Sequence, residues 1–159
     1  MKIECTVDGK ALTLSLNSNK PLSLILQENL DTESITSHCM GKMCGLCTVL
    51  IDGKAELACM VPAFEIRNRT IVTFDQFQKT RDMRDLARAY ELVGVEPCQD
   101  CYASRSLVYQ SIILSGETRP DEIRRVLSAI RCSCLESNDE VAIIMKAVEI
   151  RRKRNVRRS

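Results

Sequence analysis

The chain has 159 residues, 45% hydrophobic and 28% charged, long enough to bury one or two small cores and too apolar for a disordered segment. Aromatic residues make up 4% with no Trp, which removes the stacking platforms that single-stranded nucleic acid needs, and no stretch is apolar enough for a membrane span. The net charge of +2 hides a polarity, because Arg151, Arg152, Lys153, Arg154, Arg157 and Arg158 put six positive charges into the last nine residues and leave the rest net negative.

At the start, Ile3, Cys5 and Val7 alternate with polar residues, Asp8-Gly9 is a hairpin turn, and Leu12, Leu14 and Leu16 alternate again, which predicts a β-hairpin. Met1 to Asp8 carries Lys2, Glu4 and Asp8 and no apolar run, so nothing resembles a secretory signal and a reducing cytoplasmic setting is expected. Pro21 opens a helix through Leu22, Leu24, Ile25 and Leu30. After a cysteine-rich loop, Cys47 to Ile51 reads as a strand, Asp52-Gly53 as a turn, and Ala55 to Met60 as the partner strand that brings Cys59 back beside Cys47. Ile71, Val72 and Phe74 predict one more short strand.

From about Gln76 the period changes. Arg81 to Val93 carries Met83, Leu86, Ala87 and Tyr90 at helical spacing and stops at Gly94. Tyr102 to Leu114 forms a second helix stopped by Ser115-Gly116, and Pro120-Asp121 opens a third through Ile123, Val126, Leu127 and Ile130. The fourth begins near Asn138-Asp139 and runs through Val141, Ile144, Met145 and Val148 into the basic end, whose charges read as a solvated helix terminus favoured by the helix dipole. The class is α+β: residues 1–75 β-rich, residues 76–159 a compact four-helix bundle with a basic tail.

Eight of the nine cysteines fall into two groups of four. Cys39, Cys44, Cys47 and Cys59 read CxxxxCxxC with a fourth Cys twelve residues on, the spacing of a plant-type [2Fe–2S] site, in which one loop wraps the cluster and a returning strand closes it. Cys98 and Cys101 in CxxC, with Cys132 and Cys134 in CxC, sit at helix ends and offer four thiolates to a second centre. Spacing alone leaves structural zinc open there, since four thiolates also make a tetrahedral zinc site. A thioredoxin-like role for the CxxC lacks its βαβ context, and Cys5 reads as a buried strand residue. His38, the one histidine, reads as an exposed loop residue, and Lys42 either offsets cluster charge or is merely solvated.

Two metal motifs in this order resemble the small iron–sulfur subunit of the molybdenum hydroxylases, the xanthine dehydrogenase and aldehyde oxidoreductase family. Cys44-Gly45-Leu46-Cys47-Thr48-Val49-Leu50-Ile51-Asp52-Gly53 is close to that family's CGACTVLVDG, Cys98-Gln99-Asp100-Cys101 and Cys132-Ser133-Cys134 match its second motif, and Pro21-Leu22 resembles the start of its first helix. The resemblance implies a β-grasp, plant-type ferredoxin-like domain followed by a helical domain, each holding one [2Fe–2S] cluster. It implies an electron relay from a molybdopterin-bearing large subunit, first through Cys98, Cys101, Cys132 and Cys134, then through Cys39, Cys44, Cys47 and Cys59, to a partner carrying FAD or to another acceptor.

No residue of this chain is then required as acid, base or nucleophile, and the six glycines include no phosphate loop for a flavin or nucleotide. The trim around the second motif departs from the family. Pro97 stands where a pterin-contacting Gln is usual, Tyr102-Ala103-Ser104 replaces Thr-Pro-Gly, Ala129-Ile130 replaces Gly-Asn, and Leu135-Glu136-Ser137 replaces Thr-Gly-Tyr. In the first loop, Lys42 and His38 stand where glycines are common. Two other functions fit the residues: a free-standing two-cluster ferredoxin or redox sensor, and a zinc-stabilised adaptor without redox chemistry.

Overall fold

The computed structural model describes residues 1–16, 18–30, 32–35 and 44–158. Strands β1 (Lys2–Val7) and β2 (Lys10–Ser15) form the expected hairpin, with Ile3 opposite Leu14 and Cys5 opposite Leu12. Helix α1 is Leu22–Asn29, and β3 (Thr48–Ile51) pairs antiparallel with β4 (Lys54–Leu57). Both hairpins turn on Asp-Gly with positive φ at each residue: 50° and 79° at Asp8 and Gly9, 50° and 82° at Asp52 and Gly53. That pair of left-handed conformations matches the right-handed twist of the flanking strands, and Asp and Gly tolerate it.

Strand β5 (Thr70–Val72) completes a mixed sheet in the order β2-β1-β5-β3-β4, parallel to β1 and antiparallel to β3. The two turn aspartates pin its ends. Asp8 accepts from the Thr73 N–H at 2.8 Å and the Thr73 hydroxyl at 2.7 Å, while Asp52 accepts from the Thr70 N–H at 3.0 Å and from Arg69. Leu22, Ile25 and Leu26 of α1 are buried in one apolar cluster with Ile3, Val49 and Ile71 of the sheet. Phe74, expected on the last strand, instead starts a single-turn helix α2 (Phe74–Phe77), because Thr73 is drawn to Asp8 and the chain leaves the sheet there. The strand expected through Met60 ends at Leu57 and continues as a 3₁₀ turn over Ala58–Met60.

The second cluster of apolar residues is mostly helical, with Leu50 of β3 and the loop residues Cys101 and Ile130 joining it. Helix α3 (Arg81–Val93) has its expected ends: the Thr80 hydroxyl accepts from the Met83 N–H at 3.2 Å, and Gly94 closes it at φ 85°. Helix α4 (Tyr102–Ser115) is the centre of this half, buried at every position from Ser104 to Gln110, and it packs on α3, on α5 (Pro120–Leu127) and on α6 (Ser137–Arg158). It also lies against β3 and β4, and Ser111 accepts from the Ala55 N–H at 2.9 Å, so these helices are seated on the sheet as well as on one another.

The basic end is not wholly solvated as expected. Helix α6 is 22 residues long, about 33 Å at 1.5 Å per residue, and its last turns lie along α3. Arg151 is buried, donating to Gln110 at 2.6 Å and to the Asp82 carbonyl at 3.1 Å, and Arg154 pairs with Asp82 at 3.0 Å and Asp85 at 2.7 Å. Arg152, Arg157 and Arg158 remain exposed. Among the described residues, no helix is long and apolar enough to cross a membrane.

Candidate metal centres

Cys98, Cys101, Cys132 and Cys134 converge. Their sulfur atoms all lie within 4.8 Å of one another, with separations of 3.5 Å for Cys98 to Cys101, 3.7 Å for Cys98 to Cys132 and 3.3 Å for Cys101 to Cys134. Two thiolates bound to one tetrahedral metal at about 2.3 Å sit roughly 3.8 Å apart, so the set fits a four-thiolate centre. Local structure explains the approach. Gly94 ends α3, a turn closed by the Cys101 N–H on the Cys98 carbonyl at 3.2 Å follows, and α4 starts after Cys101. The other pair lies on the connection between α5 and α6, two elements that both touch α4.

The centre is graded in exposure: Cys101 is fully buried, Cys98 and Cys132 are half-buried, and Cys134 is exposed. Burial pushes the Cys101 thiol up. The Cys98 thiol is lowered to about 7, first by the Cys101 backbone N–H and then by neighbouring thiols. The positive end of the α4 dipole lies at the same place and favours negative charge on these sulfurs. The Cys98 N–H donates to the Cys134 sulfur at 3.4 Å, which ties the two motifs together through backbone.

Beneath Cys101 lies a group that spacing did not single out. Arg105, one helical turn on, is 2% exposed and donates through Nε to the Cys101 sulfur at 3.2 Å. Its other nitrogens donate to the Cys132 carbonyl and to Glu140 of α6, and Glu140 also accepts from the Tyr109 hydroxyl at 2.7 Å. Burial would lower Arg105, but the Glu140 charge and the Cys101 sulfur hold it above the usual arginine range. Burial raises Tyr109, and the neighbouring Glu140 charge adds to the effect. The sequence signal was available only in part: an Arg one turn after a cysteine is ordinary, and its partner stands 35 residues away.

Three cysteines of the first group are described. Cys47 is buried directly before β3, and Cys59 sits in the 3₁₀ turn after β4. The Cys59 N–H donates to the Cys47 sulfur at 3.4 Å and the Ala58 N–H to the Cys47 carbonyl at 3.1 Å, so the hairpin returns Cys59 beside Cys47 as expected. Cys44 leads into Gly45, whose carbonyl accepts from Thr48 at 2.6 Å. Cys39, with His38 and Lys42, lies outside the described residues. Cys5 is buried on β1, its thiol raised by burial. Pro97, beside Cys98, is buried.

Residues 16–110 match a family model described as a 2Fe-2S iron-sulfur cluster binding domain, so the CxC pair falls beyond the matched region and joins the centre on geometry. The chain is 30% identical over 135 residues to the xanthine dehydrogenase iron-sulfur-binding subunit of Escherichia coli O157:H7, covering 83% of this chain and 84% of that one. It is 24% identical over 148 residues to the nicotinate dehydrogenase small FeS subunit of Eubacterium barkeri, covering 92% and 94%. Among solved structures, a chain of quinoline 2-oxidoreductase from Pseudomonas putida 86 superposes with a TM-score of 0.75 at 25% identity over 96% of both chains. The aldehyde oxidoreductase from Desulfovibrio gigas, at 20% identity and a TM-score of 0.78, shares the fold over 97% of this chain, which spans 17% of that longer one.

Proposed function

We propose, given that the chain belongs to the 2Fe-2S iron–sulfur cluster binding domain family, that it is the electron-transfer subunit of a molybdenum hydroxylase-type oxidoreductase and holds two [2Fe–2S] clusters. Cys98, Cys101, Cys132 and Cys134 would hold one, and Cys39, Cys44, Cys47 and Cys59 the other. The reading divides the chain into a β-grasp, ferredoxin-like domain over residues 1–75 and a helical domain over residues 76–159. The observation that carries it is the likeness over most of its length to iron–sulfur subunits of xanthine and nicotinate dehydrogenases, in a chain whose Cys98, Cys101, Cys132 and Cys134 converge on one site.

When bound, the clusters supply one-electron transfer from a large molybdopterin-bearing partner to an FAD-bearing one or to another acceptor. The chain's own residues do the rest. Cys101, Arg105 and the start of α4 give the second centre a buried, electropositive inner face, while Cys134 keeps an outer edge open to a partner. The Arg131 N–H donates to the Cys44 carbonyl at 3.3 Å, so one hydrogen bond bridges the backbone beside Cys132 and the backbone of Cys44. A substrate-oxidising site belongs, on this reading, to the large partner.

Purified with its natural complex, the chain should contain four irons and four inorganic sulfides, and its reduced form should show two rhombic resonance signals at low temperature. Two zincs and no sulfide would establish the adaptor instead, since sulfurs this close together also suit a single zinc. Two clusters on a chain that purifies without a molybdopterin partner would favour the free-standing ferredoxin.

A further inference from the structure

We propose that Arg105, held in place by Glu140, is a positioning residue of the second centre: its guanidinium ties the CxxC and CxC motifs together from the buried side and raises the reduction potential of the cluster they hold. This rests on the reading of Cys98, Cys101, Cys132 and Cys134 as a [2Fe–2S] site.

A buried arginine is rare, because its charge is costly to desolvate unless partners meet it. Here each part of the guanidinium has a separate destination. Nε reaches the Cys101 sulfur at 3.2 Å, one terminal nitrogen reaches the Cys132 carbonyl, and the other reaches Glu140. A purely structural ion pair would require only the last of these. The planar fork instead joins a sulfur on the first motif to the backbone of the second, a geometry that Lys cannot reproduce with one nitrogen. Glu140, 4% exposed, is itself braced by the Tyr109 hydroxyl, so the fork is held from behind.

The electrostatic consequence has a sign. Reduction adds negative charge at the sulfurs, and a cationic N–H···S bond strengthens as that charge grows, so Arg105 favours the reduced state. The Glu140 carboxylate stands beyond the guanidinium and opposes it in part. Removing Arg105 and removing only the Glu140 charge should therefore move the potential in opposite directions.

The test is a resonance-monitored redox titration of the full chain with its clusters. In the Arg105→Met/Glu140→Met double variant, the potential of the second cluster should fall by a factor of ten or more in the reduction equilibrium, about 59 mV for one electron, with the first cluster unchanged. Glu140→Gln should raise it. Loss of the second cluster alone from the double variant, with helix content kept, would equally support the tether. Unchanged potentials and signals in the double variant overturn the proposal, as do shifts of the same sign in both variants. If the double variant does not fold, Arg105→Lys takes its place: a lowered potential supports the proposal and an unaltered one overturns it. A native chain that holds zinc and no sulfide would sink the cluster reading itself, a result separate from all of these.

Discussion

The backbone N–H of Arg131 donates to the carbonyl of Cys44 at 3.3 Å, joining the loop of one cysteine motif to the segment leading into another. The contact is close because Gly45 lies directly over Ile130. A Cβ on Gly45 would stand 3.2 Å from the Ile130 Cα and 3.3 Å from its Cγ1, and Gly45 has φ 89°.

Gly45→Ala should therefore combine left-handed backbone strain with displacement of neighbouring backbone. Strain alone costs roughly 1–2 kcal/mol, and the clash brings the expected loss to about 2–3 kcal/mol. Gly9→Ala, at φ 79° with nothing within 4 Å of the added carbon, should lose only about 1 kcal/mol. Thermal unfolding of the two variants checks the order, and equal losses would show that the Gly45 to Ile130 approach is not tight.

If the chain holds the two clusters proposed, Cys47→Ser should remove the first and leave the second assembled. Cys47 sits in the apolar cluster of the sheet, while Cys101 sits in the cluster built by the helices. One of two resonance signals should vanish, with iron and sulfide halved. Loss of both signals from a folded chain would contradict two independent centres.

Arg151→Ala should destabilise by about 3 kcal/mol, because it strips a buried partner from Gln110 and leaves the Asp82 and Asp85 carboxylates short of positive charge. Arg152→Ala, one residue on and exposed, should change stability by about 0.5 kcal/mol or less. Denaturant unfolding of both separates an anchored helix end from a merely basic one.

The same cluster predicts an acid limb. Burial works to raise Asp82, but hydrogen bonds from Arg154 and Gln110 and the charges of Arg151 and Arg154 hold its carboxyl below the usual range. Its folded value lies below the unfolded one, so its contribution is present at neutral pH and is lost as pH falls below about 4, through the folded value. An Asp82→Asn variant should show a shallower fall in stability over that range, measured by unfolding at stepped pH. An unchanged acid limb would remove Asp82 from the account.

What the chain declares by itself is whatever is encoded within a turn or two of backbone. The hairpins follow from Asp8-Gly9 and Asp52-Gly53 and the end of α3 from Gly94, signals that act over a few residues, while the cysteine motifs show as spacings along the chain whose convergence in space no local signal fixes. Tertiary structure alone decided the rest. Nothing local tells that β5 runs parallel to β1, that α4 is buried on all sides, or that Phe74 starts a helix once Asp8 takes Thr73. Charged residues show the difference most plainly: Arg105 and Arg151 read like any helix-surface arginine, and only packing against Glu140, Gln110 and Asp82 desolvates them. A charge has its chemistry set by the dielectric and partners around it, and those are supplied by segments tens of residues away.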